Sequence, residues 1–173
     1  SKGALSYLQL ANQASCVASV VTSTQFDPSA PVALLLDSGP AMIAAMLGAL
    51  QANRFYVPLD PGHPAARLAA ILEDTTARIL LTDVAHLDLA HTLQQSLGPA
   101  GAALAILSID EALAGQEPVV VPIEGSPDSP VWLLYTSGST GKPKGVVQTN
   151  RNVLQYVDNY AHGLQIKPGD HYA

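Results

Sequence analysis

Residues 32–36, VALLL, form an unbroken apolar run set between turn formers, and no other feature constrains the fold as much. A strand with one wet face alternates apolar and polar residues. A strand that is apolar at every position must be covered on both faces, as happens inside a parallel sheet flanked by helices. Parallel neighbours in turn require long crossovers, most often helical. The following residues supply one. Pro40 suits the first turn of a helix, and Met42, Ile43, Met46, Leu47 and Leu50 fall on one apolar stripe.

The alternation extends in both directions. LSYLQLANQASCVASVV, residues 5–21, reads as a helix opened by Ser6 and Gln9 in capping-box spacing, with Tyr7, Leu10, Ala14, Val17 and Val21 on one face. A short strand is predicted around Phe55–Val57, then a turn through Pro58, Asp60, Pro61 and Gly62, then a helix opened by Pro64 that buries Leu68, Ile71 and Leu72. RILLT (78–82) reads as a strand, a helix follows from an Asp83 cap, and LAILSI (104–109) is a strand leading into a short helix with Ser108 and Glu111 in capping-box spacing. The predicted class is α/β, a mostly parallel sheet flanked by helices. The division is βα units over 1–114, a connecting loop rich in Pro, Ser and acidic residues over 115–130, and a final part over 131–173.

With 48% hydrophobic and 13% charged residues, the 173-residue chain has ample material for one core. No apolar run reaches the length of a membrane span and the first residues lack a signal-peptide pattern, so the reading is cytoplasmic. The single cysteine, Cys16, is read as a helix-packing residue. A net charge of −6 argues against nucleic acid and anionic membrane as partners. The cations are unevenly spread: after Arg78 none occurs until Lys142, and then Lys142, Lys144 and Arg151 arrive together.

That cluster follows VWLLY (131–135), an apolar strand that runs into Thr136, Ser137, Gly138, Ser139, Thr140, Gly141, Lys142, Pro143, Lys144 and Gly145. Small residues leave backbone N–H groups unshielded, hydroxyls add donors, and two ammonium groups follow, a set suited to polyphosphate oxygens. It is not a Walker P-loop. Thr136 stands where that motif needs glycine, and Pro143 where it needs Ser or Thr. Proline also disfavours a helical Lys142, and GVVQT beyond it alternates like a strand. The loop is therefore predicted to join two strands.

YTSGSTGKPKGV, Tyr135 to Val146, resembles the phosphate-loop signature of the adenylate-forming superfamily. YVPLDPGHPAARLAAILED, Tyr56 to Asp74, resembles a segment found mainly in its amino-acid-activating branch, the adenylation domains of nonribosomal peptide synthetases, and LSYLQL is similar to the family's first core motif. The resemblance implies the N-terminal part of a ligase that uses ATP and Mg²⁺ to turn a carboxylate, such as an amino acid, into its acyl adenylate with release of pyrophosphate. Transfer to a phosphopantetheinylated carrier protein would follow. It places the ATP phosphates against Thr136, Ser137, Gly138, Ser139, Thr140, Gly141 and Lys144, with Lys142 an auxiliary charge, and singles out no catalytic residue within this stretch. The chain stops at Ala173, ahead of the family's substrate pocket and its C-terminal lysine, so adenylation by this piece alone is not expected. Two departures stand out: Asn53, Arg54 and Phe55 where the family often has Ala-Gly, and Asn150 where it often has histidine.

The remaining polar residues have plainer readings. His86 and His91 are five apart, on different helical faces, and complete no metal site. Asp60 is read as a turn-stabilising side chain, Arg67 as a structural residue on a helix surface near Glu73 and Asp74, and Trp132 as core. Three alternatives remain open: an acyl-CoA synthetase fragment, a non-catalytic ATP or pyrophosphate binding module, and an interaction unit pairing through an open sheet edge.

Overall fold

The computed structural model describes residues 5–27, 29–115, 125–136 and 143–167. Its centre is β1 (Val32–Leu35), whose side chains alternate between two cores: Val32 and Leu34 face one, Ala33 and Leu35 the other. Both faces are dry, which is why the sequence shows no alternation. Around β1 lie β2 (Tyr56–Leu59), β3 (Ile79–Thr82), β4 (Ala105–Ser108), β5 (Pro130–Thr136) and β6 (Lys144–Thr149), in the order β4-β3-β1-β2-β5-β6. Every pairing is parallel except β5 with β6.

Helices α1 (Tyr7–Ser23), α2 (Pro40–Gln51) and α5 (Ile109–Gly115) supply the core on one face; α3 (Ala65–Thr75) and α4 (Leu87–Ser96) supply the other. Helix α6 (Asn150–Gly163) follows β6. The capping box at α1 forms as read: the Gln9 backbone N–H donates to Ser6 Oγ at 3.2 Å and the Ser6 N–H to Gln9 Oε1 at 2.8 Å. Asp83 caps a short 3₁₀ turn ahead of α4, its Oδ1 accepting from the His86 N–H at 3.0 Å. A second capping box, Thr149 with Asn152 at the start of α6, went unread because the pattern looks for Glu or Gln at that position.

Two apolar faces differ from the sequence expectation. Tyr7 is 92% exposed, since α1 turns its first residues outward and buries Ala14, Val17 and Val21. In α2 the buried set is Met42, Ala44, Ala45, Gly48 and Ala49, while Ile43 and Leu47 are exposed. The reason is distance. Helix α1 lies so close that a Cβ on Gly48 would sit 2.6 Å from Val17 Cβ, so the small residues face inward and two of the larger ones turn out.

Arg54 is 5% exposed and serves the fold. Its guanidinium donates to the carbonyls of Phe26, Asp27 and Ala30, holding the turn that feeds β1. Burial lowers its pKa, with Asp27 opposing that shift. Arg54→Ala strands those carbonyls and should cost about 1.5–3 kcal/mol, the worth of charge-assisted bonds, read as a lower urea midpoint with an unchanged slope.

Candidate functional site

Strands β5 and β6 form a hairpin in which Tyr135 pairs with Gly145 and Thr136 with Lys144. The predicted loop thus joins two strands, as its alternating sequel implied. Of the residues read as phosphate contacts, Thr136 and Lys144 are brought together at the mouth of the loop, where Thr136 Oγ1 lies 3.5 Å from the Lys144 carbonyl oxygen. Both are exposed. Ser137, Gly138, Ser139, Thr140, Gly141 and Lys142 lie outside the described residues.

The hairpin is anchored from behind. A Cβ on Gly145 would meet Leu133 Cδ1 at 2.8 Å and Tyr135 Cζ at 3.3 Å, so glycine lets the Tyr135 ring lie across β6. The Tyr135 hydroxyl donates to Asp74 Oδ2 on α3. Burial, followed by that bond to a carboxylate, raises the Tyr135 pKa and keeps the phenol protonated. Register at the loop is thereby tied to the α3 side of the sheet.

The carboxyl ends of β1, β2 and β5 point the same way, and between them lies a crevice of about 650 Å³. Helix α2 leaves β1 toward one face and α3 leaves β2 toward the other. Such a divergence of connections is the topological switch point at which open α/β sheets take ligands. The crevice is lined by Asp37 and Asp60 at the strand ends, His63 and Arg67 from the β2–α3 connection and α3, and Tyr135, the residue before Thr136. Asp60 does stabilise its turn, accepting from the Gly62 N–H at 2.9 Å. Arg67, read as structural, lines the crevice from α3. No ion pair among the described residues includes it, and it faces the crevice instead of Glu73 or Asp74. The strand-then-turn pattern at Pro58–Gly62 carried that signal, because a turn after a parallel strand opens on the carboxyl edge.

His86 Nδ1 lies 2.6 Å from Asp83 Oδ1, and Nε2 lies 3.8 Å from Asp37. Among the described residues no group of three or more His, Cys, Asp or Glu could hold a metal ion, and no helix is long and apolar enough to cross a membrane. Trp132 packs against the core with its ring 6.1 Å from that of Tyr56. The two departures, Asn53–Phe55 and Asn150, line one cleft. It lies at the amino edge, opposite the loop. Asn53 occupies the left-handed region at φ 57°, which asparagine tolerates better than most residues.

A strand, a Ser/Gly/Thr-rich loop and an antiparallel return beside a switch-point crevice are the elements a nucleotide phosphate would need. The model of the family of AMP-binding enzymes matches residues 1–173. The chain belongs to that family. Gramicidin S synthase 2 of Brevibacillus brevis is 35% identical over 167 residues, covering 96% of this chain and 4% of the synthase. Surfactin synthase subunit 1 of Bacillus subtilis is 32% identical over 155 residues, 90% of this chain and 4% of the subunit. Among solved structures, the nonribosomal peptide synthetase FmoA3 superposes with a TM-score of 0.80 at 29% identity, over 98% of this chain and 17% of its own. Apo MatB from Rhodopseudomonas palustris superposes at 0.83 with 23% identity, over 96% of this chain and 33% of its own, a likeness of fold. This AMP-binding chain therefore spans a few per cent of the curated synthetases that it matches and about a sixth of FmoA3.

Proposed function

We propose that the chain is the N-terminal, phosphate-holding part of an amino-acid adenylation domain. The observation that carries this reading is the hairpin, which sets Thr136 and Lys144 side by side at the carboxyl edge, at the two ends of the Ser137–Pro143 stretch. The phosphates of ATP lie against Thr136, Ser137, Gly138, Ser139, Thr140, Gly141 and Lys144, with Lys142 an auxiliary charge. FmoA3 has been solved with AMPPNP bound, which supports a nucleotide here. Mg²⁺ would enter as MgATP, taking its ligands from phosphates, water and at most one or two carboxylates rather than from a protein cage.

The chemistry follows from charge. The substrate carboxylate is already ionised and needs no base. Its oxygen bonds to the α-phosphorus, the bond from that phosphorus to the bridging oxygen breaks, and pyrophosphate departs with the electron pair. Hydroxyls, backbone N–H groups and the Lys144 ammonium stabilise the charge gathering on the leaving group. A carrier-bound thiol then attacks the acyl carbonyl and displaces AMP. The YVPLDP segment and the identity with peptide synthetases favour an amino acid over a fatty acid as substrate. The proposed parts are βα units through α5, which ends at Gly115, the stretch up to β5, which begins at Pro130, and the phosphate loop with its return strand and helix; the proposed working compartment is the cytoplasm.

Titrating MgATP or pyrophosphate into the chain should shift the backbone amides of Thr136, Lys144 and Gly145, and Lys144→Ala should weaken binding about ten-fold, the loss of one charge-assisted contact. Amides that stay still at millimolar ligand would sink the proposal.

A further inference from the structure

Arg67 does not fit the structural role that its helix position suggests. Among the described residues its Nε is shut off from solvent and has no hydrogen-bond partner, and no carboxylate among them pairs with the guanidinium. The contrast with Arg54 is direct: that guanidinium is more deeply buried, and it is satisfied by three carbonyls. A buried donor left without an acceptor costs free energy in the resting state. An acceptor that entered the crevice and drew the guanidinium forward would remove that cost.

The other charged groups of the crevice are already turned to partners. Asp60 accepts the Gly62 N–H and lies 3.9 Å from His63 Nδ1; Asp37 lies 3.8 Å from His86 Nε2. Both carboxylates sit at the rim with well-exposed side chains, 69% and 72%. There they are screened by water and lower an anion's affinity without excluding it. The planar fork of an arginine matches phosphate oxygens two at a time. Tyr135 shares the crevice with Arg67 and is followed at once by Thr136, so an oxyanion held here adjoins the mouth of the loop.

We infer that Arg67 marks a phosphate-oxyanion site in the switch-point crevice, separate from the contacts that the loop itself supplies. This rests on the reading that the neighbouring loop handles phosphates. Arg67 holds a phosphate group on the α3 side of the hairpin, and Asp37 and Asp60 keep that hold weak.

The test uses the Nε–H resonances of the chain with ¹⁵N-labelled arginine, the Arg67 signal being identified by its loss in Arg67→Lys. Pyrophosphate is titrated at constant ionic strength, and sodium acetate serves as the carboxylate arm. The Arg67 signal should shift saturably with pyrophosphate and at least several-fold less with acetate. Arg67→Gln should weaken the crevice's share of binding about ten-fold while the Thr136 and Lys144 amides still respond. A response at Thr136 and Lys144 with Arg67 unmoved would overturn the crevice site and leave the proposed function standing. A response at Arg67 with those amides still would do the reverse. Equal shifts with acetate, or unchanged affinity in a folded Arg67→Gln, would show Arg67 to be a screened surface cation and overturn the inference.

Discussion

Gly48→Val should destabilise the chain by about 3 kcal/mol, at the upper end of what overpacking costs, and Gly48→Ala by about 1–2 kcal/mol, because alanine recovers about 1 kcal/mol of helix propensity. A Cβ at position 48 would stand 2.6 Å from Val17 Cβ and 2.7 Å from the Ala14 carbonyl oxygen, against about 3.5–4.0 Å for an ordinary contact. Neither neighbour is the free end of a flexible side chain: one is fixed to the backbone of α1 and the other is backbone. Relief requires moving α1, which would pull Val17 and Val21 from the core they share with Val32 and Leu34. For a domain of ordinary stability, about 5–15 kcal/mol, this is a large fraction. Chemical denaturation of both variants checks it; midpoints shifted by less than the equivalent of about 0.5 kcal/mol, the scatter of neutral surface changes, would mean that the two helices do not meet as described.

Thr140→Ala combined with Lys144→Ala should lower amino-acid-dependent ATP–pyrophosphate exchange by about 10²–10⁴-fold when placed in the full-length protein. Removing one preorganised donor from a site of developing charge costs about 10²–10³ in rate, and groups acting on the same leaving group do not add in full. Lys144 is set by register opposite Thr136, and that register is fixed by Tyr135 lying across Gly145 and bonding Asp74. Its loss should therefore act on the reaction with little effect on stability. A matched loss of thermal stability would show that the lysine serves the fold instead.

The fold was legible where burial erases choice. VALLL admits one reading because both faces of β1 are covered, and Ser6 with Gln9 marks the start of α1 through a local bond that needs no tertiary context. Faces set by a neighbour were not legible. The stripe of α2 was drawn through Ile43 and Leu47 because they are large, yet the close approach of α1 selects Ala45, Gly48 and Ala49. Strand order was hidden for a similar reason, since β3 pairs with β1 on the side away from β2 and nothing local to 79–82 records that crossover. At the site, the composition of 136–145 suggested phosphate contacts, and of the residues so read the described ones are Thr136 and Lys144. For Arg67 the turn after β2 marked the carboxyl edge, but the crevice itself was hidden, because it needs β5 placed beside β2, across more than sixty residues of sequence.

Under the proposed function, this AMP-binding chain holds ATP phosphates for the activation of an amino acid. ATP–pyrophosphate exchange tests it most directly, run with the full-length protein, Mg²⁺ and pooled amino acids, beside a pool of fatty acids and beside the Thr140→Ala, Lys144→Ala variant. Exchange should require an amino acid and fall by at least about 10²-fold in the variant. Exchange driven by fatty acids, or amino-acid exchange that survives both substitutions, would contradict it.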